Sequence, residues 1–232
     1  EGIGTSLRTK RPVLTEVQGR YMNTVQLTLL SLTWSVIAGV LIGVWSGRNR
    51  SKWQDYTGMT VAVSGISMPS FWIGFMLIMV FAVKYRLLPT TGAGSFKNLI
   101  LPSITLGVSI AAIIARFTRS SVIEVMKEDY VRTARAKGLR EKTVIWKHVF
   151  RNCMISVVTV VGLQFGFLLG GSVVTETVFA FPGLGSLLIE SVNYRDYPAI
   201  QSLILIFSLH FVLINLVVDV LYAVLNPEIQ LS

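Results

Sequence analysis

Five apolar stretches, each long enough to cross a bilayer as a helix, constrain this chain more than any other feature. They cover about 22–46, 57–83, 99–115, 153–175 and 203–225, and none carries a Lys or Arg at its middle. A hydrocarbon core needs roughly 20 residues of helix. Five such blocks in 232 residues do not suit a soluble domain with a few buried helices. Composition agrees: only 14% of residues are charged and mean hydropathy is +0.63, whereas soluble domains carry roughly 25% charged residues. The sequence therefore predicts an all-α, polytopic membrane protein.

The basic residues set the topology. Three lie in 47–56 and ten in 116–152, thirteen of the 21 in the chain. Cytoplasmic loops collect Lys and Arg, so both loops are assigned to the cytoplasm. The net charge of +9 thus calls for a membrane and its lipid rather than for nucleic acid. Residues 1–21 form an extracytoplasmic segment and 22–232 one transmembrane domain, with 176–201 as an extracytoplasmic loop. Arg8, Lys10, Arg11 and Arg20 run against this assignment. A chain that starts outside needs a span to bring it there, so a sixth, N-terminal span is expected ahead of residue 1. Cys153 is the sole cysteine, which excludes an intrachain disulfide and points to an apolar filler.

The loop 116–152 is too long and patterned for a connector. Asp129 can cap a helix that continues through Tyr130, Val131, Arg132, Thr133, Ala134, Arg135, Ala136 and Lys137 to a stop at Gly138. Glu141 opens a second helix, with Val144, Ile145, His148, Val149 and Asn152 on one face. Small apolar residues rimmed by cations suit docking into a groove of a cytoplasmic partner. They equally suit an interfacial helix on anionic lipid, and periodicity leaves both open.

Other features have a plain and a sharp reading. Gly39, Gly43 and Gly47, like Gly162, Gly166 and Gly170, recur every four residues and permit close helix packing in lipid. The plain reading is packing within the chain; the sharp one puts Gln164, Gly166 and Gly170 along a translocation path. Pro69 and Pro102 are expected to kink spans. His210 is expected to be hydrogen-bonded rather than to hold a metal. Asp219, an ionisable group in a span, is expected to pair with Arg116 or Arg119. Glu176, Glu190 and Asp196 could meet a cation, but their plain reading is solvated surface acids. Leu187, Leu188, Ser191 and Val192 suit a short half-buried outer helix. No P-loop, serine elbow, HExxH or close acid pair is present, so no catalytic or metal-ligating residue is assigned.

Asp129–Gly138 followed by Lys147-His148 and Arg151-Asn152 resembles the coupling loop of bacterial ATP-binding-cassette importer permeases. The likeness is to the dipeptide, oligopeptide, glutathione and nickel branch, most of all to its glutathione and dipeptide subunits. Gly4-Thr5-Ser6, Arg11-Pro12-Val13, Val63 to Pro69, Leu101-Pro102-Ser103, Gly162 to Gly171, Phe181-Pro182-Gly183-Leu184-Gly185, Arg195-Asp196-Tyr197-Pro198 and Asn226-Pro227 extend it across the chain. Ser156 departs from the branch's usual proline. Arg132-Thr133-Ala134 stands where the wider family has Glu-Ala-Ala.

The resemblance implies a multi-pass subunit in the bacterial inner membrane that translocates small peptides, glutathione-like solutes or nickel chelates. Its partners would be a homologous second permease, two ATP-binding subunits and an extracytoplasmic substrate-binding protein. ATP and Mg would be bound by those ATPases, and this chain would hold no cofactor. Asp129, Tyr130, Arg132, Thr133, Ala134, Arg135, Ala136, Lys137 and Gly138 would couple to the ATPases. Phe181, Pro182, Arg195 and Asp196 would shape the outer loop. Two rivals lack support: a secondary transporter would show an inverted repeat or a central acid–base pair, and a haem subunit would show paired histidines.

Overall fold

The structure is a computed structural model. It describes residues 4–225, the side chains at 155, 156, 169–171, 219 and 221–225 excepted. Asp219, Ser156, Gly170, Gly171 and Asn226-Pro227 therefore lie outside what is described at side-chain level. Among the described residues there is no strand, only one isolated bridge, Thr5 to Pro12.

The helices are α1 (Val13–Arg48), α2 (Trp53–Ser67), α3 (Ser70–Leu77), α4 (Phe96–Val125), α5 (Asp129–Ala136), α6 (Glu141–Thr143), α7 (Phe150–Val178), α8 (Leu184–Asn193) and α9 (Tyr197–Leu225). A π-helical stretch, Ile78–Lys84, extends α3, and another, Val144–Val149, joins α6 to α7. Among the described residues, α1, α4 and α9 are each long and apolar enough to cross a membrane, and counting each of two bent helix pairs as one span brings the number to five. The span expected at 57–83 is broken at Met68-Pro69. Proline removes an N–H and disfavours helix in the residue before it, and α3 restarts with Pro69 in extended conformation. Pro102 sits inside an unbroken α4, so the kink expected there does not interrupt the helix. α1 begins at Val13, well ahead of the expected span.

The chain divides into two compact units, each discontinuous in sequence. The first gathers Glu1–Thr33, Met68–Gly107 and Phe165–Ile214. Its core joins Val13 and Val17 of α1 to Leu184 and Leu187 of α8 and Ala199 and Leu203 of α9. Polar groups tie this unit together. Glu176, fully buried, accepts from the Thr24 hydroxyl (2.8 Å) and the Ser186 amide (2.9 Å), and Thr24 Oγ1 accepts in turn from the Leu184 amide (2.8 Å). One carboxylate thus fixes α1, α7 and the start of α8.

The second unit comprises Trp34–Ser67, Val108–Gln164 and Asn215–Ser232. Here Gly39, Gly43 and Gly47 of α1 meet Ile114, Thr118 and Val122 of α4. A Cβ on any of the three would come within 2.8 Å of those side chains. Their four-residue repeat is therefore packing within the chain, the plain reading. Gly162 likewise faces Val218. Asp55, at the start of α2, accepts two bonds from the Arg119 guanidinium at 2.5 and 2.7 Å. Arg119 is thus paired with Asp55; the pairing expected between Asp219 and Arg116 or Arg119 lies outside the described residues.

Candidate functional site

The loop 116–152 folds into the helix, bend and second helix that its pattern predicts, with two corrections: the cap residue, and the small apolar Val131 and Ala134, which pack inward instead of facing a partner. Glu128, in extended conformation, occupies the position before α5, and Asp129 is the first helical residue rather than the cap. No side chain caps this end; instead the Val131 and Arg132 amides bond the Glu128 carbonyl. Gly138 ends the helix at φ +75°, with its amide on the Arg135 carbonyl at 2.9 Å. This left-handed geometry costs non-glycine residues roughly 1 kcal/mol or more.

Val131 and Ala134 turn inward, fully and nearly buried, while Asp129, Tyr130, Arg132, Thr133, Arg135, Ala136, Lys137 and Gly138 are exposed. Two contacts brace α5 against α6 and the start of α7. The Arg135 guanidinium donates to both Glu141 carboxylate oxygens (2.8 and 3.2 Å), and Asn152 Nδ2 donates to the Tyr130 hydroxyl (2.8 Å). Hydrogen bonding to Arg135 is the main reason that Glu141 titrates below the ordinary glutamate range, against a smaller opposing effect of burial. Burial, partly offset by the Asn152 bond, moves the Tyr130 phenol up. Val144, Ile145 and Val149 are buried, as their spacing predicts, and lie in the π-helical stretch that leads into α7. The outcome is a braced helix that presents a basic, exposed face.

The first unit carries two open cavities. One, about 640 Å³, is lined by Arg8, Thr9, Arg11, Thr15, Glu16, Gly19, Arg20, Asn23, Ala93, Gly94 and Pro182. The other, about 660 Å³, shares Asn23, Ala93 and Gly94 and continues along Gln26, Leu30, Thr33, Leu99 and Phe181. Glu16, Arg20, Asn23, Gln26, Leu30 and Thr33 follow one another at three- and four-residue steps and so form one face of α1. Asn23 also donates to the Pro182 carbonyl at 2.8 Å.

Of the outer-loop residues, Phe181 is buried and lines the second cavity, and Pro182 lines the first. Arg195 is exposed at φ +55°. Asp196 is buried, which corrects its reading as a solvated acid. It accepts from the Ser6 hydroxyl, from the Leu7 amide (3.0 Å) and Arg8 amide (3.4 Å), and from the Ala199 amide (3.4 Å), so that it caps α9. Burial alone would push its carboxyl up, but these donors outweigh burial and hold it below the aspartate range.

Glu190 accepts a two-pronged bond from Arg20 (3.0 and 3.2 Å) and a third from Arg8 (3.2 Å). Burial would again push it up; Arg20 and then Arg8 pull it below its usual value. Glu176 is buried in its own network with Thr24 and Ser186. None of the three acids is a bare surface charge, and each is captured by at least one partner far away in sequence: Ser6, Leu7 and Arg8 for Asp196, Arg8 and Arg20 for Glu190, and Thr24 for Glu176. No local pattern announced this.

His210 bonds the Tyr21 hydroxyl (2.5 Å) and the Ile206 carbonyl (2.7 Å), as expected of a hydrogen-bonded histidine. Among the described residues no group of three or more His, Cys, Asp and Glu is placed to hold a metal ion. Gln164 is half-buried and Gly166 buried in α7; neither lines the two cavities of the first unit. Gly170 lies in the same helix, its surroundings outside the described residues.

Several helices long and apolar enough to span a membrane, with a short exposed helix between two of them, define a multi-pass membrane protein. Residues 39–231 match the model of the binding-protein-dependent transport system inner membrane component, and the chain belongs to that family. It is accordingly a multi-pass protein of the inner membrane. It is 56% identical over 228 residues to the glutathione transport system permease protein GsiC of Escherichia coli (strain K12), covering 98% of this chain and 74% of that protein. The GsiC protein of Salmonella typhi is 55% identical over the same lengths. Among solved structures, an inward-facing conformation of the MetNI methionine ABC transporter aligns over 92% of this chain and 97% of its own. The TM-score is 0.79 at 17% identity. An amino acid ABC transporter with histidines aligns over 89% of this chain and 92% of its own, with TM-score 0.69 at 16% identity. These two likenesses concern the fold.

Proposed function

We propose that this chain is the permease subunit through which an ATP-driven importer carries glutathione or a closely similar small peptide into the cell. The observation that carries the reading is the 56% identity, sustained over 98% of the chain, to a glutathione permease. Within the reading, two ATP-binding subunits dock on the cytoplasmic loops of the permeases, α5 among them, a homologous second permease completes the pathway, and an extracytoplasmic protein delivers cargo. ATP hydrolysis takes place in the partners.

The geometry of α5 supports this division of labour. A coupling helix must transmit a push without bending at its own base, and the Arg135–Glu141 and Tyr130–Asn152 contacts provide that stiffness. Alternating access then follows from the different contacts that α5 makes with open and closed ATPases. The test is co-purification from detergent, followed by reconstitution with the recovered partners and labelled glutathione. ATP-dependent accumulation, absent when the ATPases are omitted, is the expected result. A stable oligomer that accumulates peptide without any ATPase would overturn it in favour of a secondary transporter.

A further inference from the structure

We propose that the cavity bounded by Arg8, Arg11, Glu16 and Arg20 is a binding site of the permease itself for a small acidic peptide. The peptide's carboxylates would meet the guanidiniums, its amino group would meet Glu16, and its remainder would lie along the polar face of α1. This inference rests on the proposed peptide-import function and supplies its point of entry.

Four observations converge. The first is size: the adjoining cavities, about 640 and 660 Å³, fall in the range of roughly 300–1,000 Å³ that suits small-molecule sites. The second is charge. Arg8 and Arg20 share one counter-ion, Glu190, and Arg11 has no side-chain partner among the described residues. The wall itself carries Arg8, Arg11 and Arg20 against Glu16 alone, and one positive charge is left even when Glu190, the counter-ion of Arg8 and Arg20 outside the lining, is included. A ligand with one more carboxylate than amino groups complements that arrangement, and guanidinium matches carboxylate geometry with two parallel bonds.

The third observation is preformation. The segment that carries Arg8 and Arg11 is a closed loop. Ser6 and Arg11 are joined amide to carbonyl at 2.9 Å, Lys10 and Ser6 at 3.0 Å, and Val13 and Gly4 at 3.0 Å. Buried Asp196 holds the same loop through Ser6, Leu7 and Arg8. Arg8 is stacked on the Tyr194 ring, 5.0 Å from its centre, and both Arg8 and Arg20 are held by Glu190, so two of the cations stand in place before any ligand arrives, while the Arg11 side chain, unpaired among the described residues, remains free to meet it. The fourth is continuity. Asn23 belongs to both cavities, and Gln26 and Thr33 prolong the polar line into the membrane-spanning part of α1. Polar side chains in such a helix mark solute paths when they face a cavity. With the basic loops inside, Arg8, Arg11 and Pro182 stand on the outer side, where cargo arrives.

The experiment uses the complete transporter in liposomes, with initial rates of ATP-driven uptake for two probes. One is glutathione, with two carboxylates and one amino group; the other is trialanine, with one of each. Arg11→Gln removes a charge that no described side chain depends on. Losing a charged hydrogen bond should raise KM for glutathione about tenfold, with less than about a twofold change for trialanine and kcat little altered. Arg11→Lys should recover most of the loss, and Lys97→Gln, the same charge change outside the cavity, should leave both KM values alone.

An unchanged KM for glutathione in Arg11→Gln overturns the proposal. So does an equal loss for both peptides together with weakened capture of the substrate-binding protein, which would make the cavity a docking surface for that protein. If the wild type imports neither peptide, the functional reading fails separately. Equilibrium dialysis of labelled glutathione against the solubilised complex then decides the site: retention that Arg11→Gln abolishes upholds it, and no retention overturns it.

Discussion

Asp196, Glu176 and Glu190 show how much a single side chain can hold when its partners come from far along the chain. Asp196 gathers the loop at Ser6, Leu7 and Arg8 and caps α9 with the same two oxygens. Asp196→Asn turns one acceptor oxygen into a donor that faces amide N–H groups. The mismatch should cost about 1–3 kcal/mol locally. Hydrogen exchange at the Leu7 and Arg8 amides should accelerate by at least tenfold while exchange within α4 stays slow. The pH dependence follows from the sign of the shift. A carboxyl held below its usual value contributes fully above the unfolded pKa, about 3.9, and loses that contribution as pH falls through the lower folded value. Protection at Leu7 and Arg8 should therefore be flat between pH 5 and 8; a fall within that window would contradict the assignment. Glu176 sets a different constraint. A Cβ on Gly183 would lie 2.3 Å from the Glu176 carboxylate, so Gly183→Ala must displace the one group that joins Thr24 to Ser186. Its thermal unfolding should come several degrees lower, with Glu176→Ala doing the same by leaving those two donors unpaired. An unshifted transition in both variants would show that this network contributes little.

Elements were legible to different degrees, and the reasons are physical. Long apolar runs announce spans because length and hydrophobicity alone decide them, so α1, α4 and α9 cover the expected spans, although α1 starts nine residues early because its first turns pack on α8 and α9 rather than in lipid. The break at Met68-Pro69 was readable as a bend, but proline does not say whether a neighbouring helix will re-cover the freed backbone, and here the helix stops. The π-helical joins have no composition signature of their own. At α5, the stop at Gly138 was plain in the pattern, but the small apolar Val131 and Ala134, read as the docking face, turn inward and pack within the chain. The braces Arg135–Glu141 and Tyr130–Asn152 were not legible, since each reaches beyond one helical turn. The polar stripe Glu16, Arg20, Asn23, Gln26, Thr33 could have been found in the sequence as the one charged and amide-bearing line on α1; Leu30 within it, and the apolar residues around it, hid it. The bend itself can be tested. Gly138→Ile puts a β-branched residue at φ +75°, where nothing crowds it, so the cost is backbone strain of about 1–2 kcal/mol rather than a clash. Membrane insertion should remain normal while uptake falls severalfold. Full uptake would mean that the orientation of α5 does not matter to transport.

At the scale of the whole molecule, what separates a docking helix from a merely stable one is which of its side chains the rest of the chain already uses. Val131 and Ala134 are spent on packing, and Arg135 and Tyr130 on braces. Arg132 and Lys137 are not: Arg132 reaches Asp129 at 3.4 Å, but both side chains are at least three-quarters exposed, and an ion pair so solvated contributes little. Reversing those two charges, Arg132→Glu with Lys137→Glu, removes nothing that the fold depends on while inverting the face a partner would meet. The protein should reach the membrane in normal amount and keep its thermal transition. Recovery of P-loop ATPases in a detergent pull-down should drop by an order of magnitude or more, because like charges across an interface oppose association strongly. The counterpart Val131→Asp should behave oppositely, lowering the amount of folded protein by burying a charge. If the double reversal left ATPase recovery intact, α5 would be a structural or lipid-facing helix, and the docking surface would have to be sought elsewhere among the basic loops, with Arg48, Arg50 and Lys52 the next place to look. If recovery fell in step with the amount of folded protein, the loss would be one of stability. Only a fall at constant folded amount identifies the exposed face of α5 as the surface that receives the ATPases.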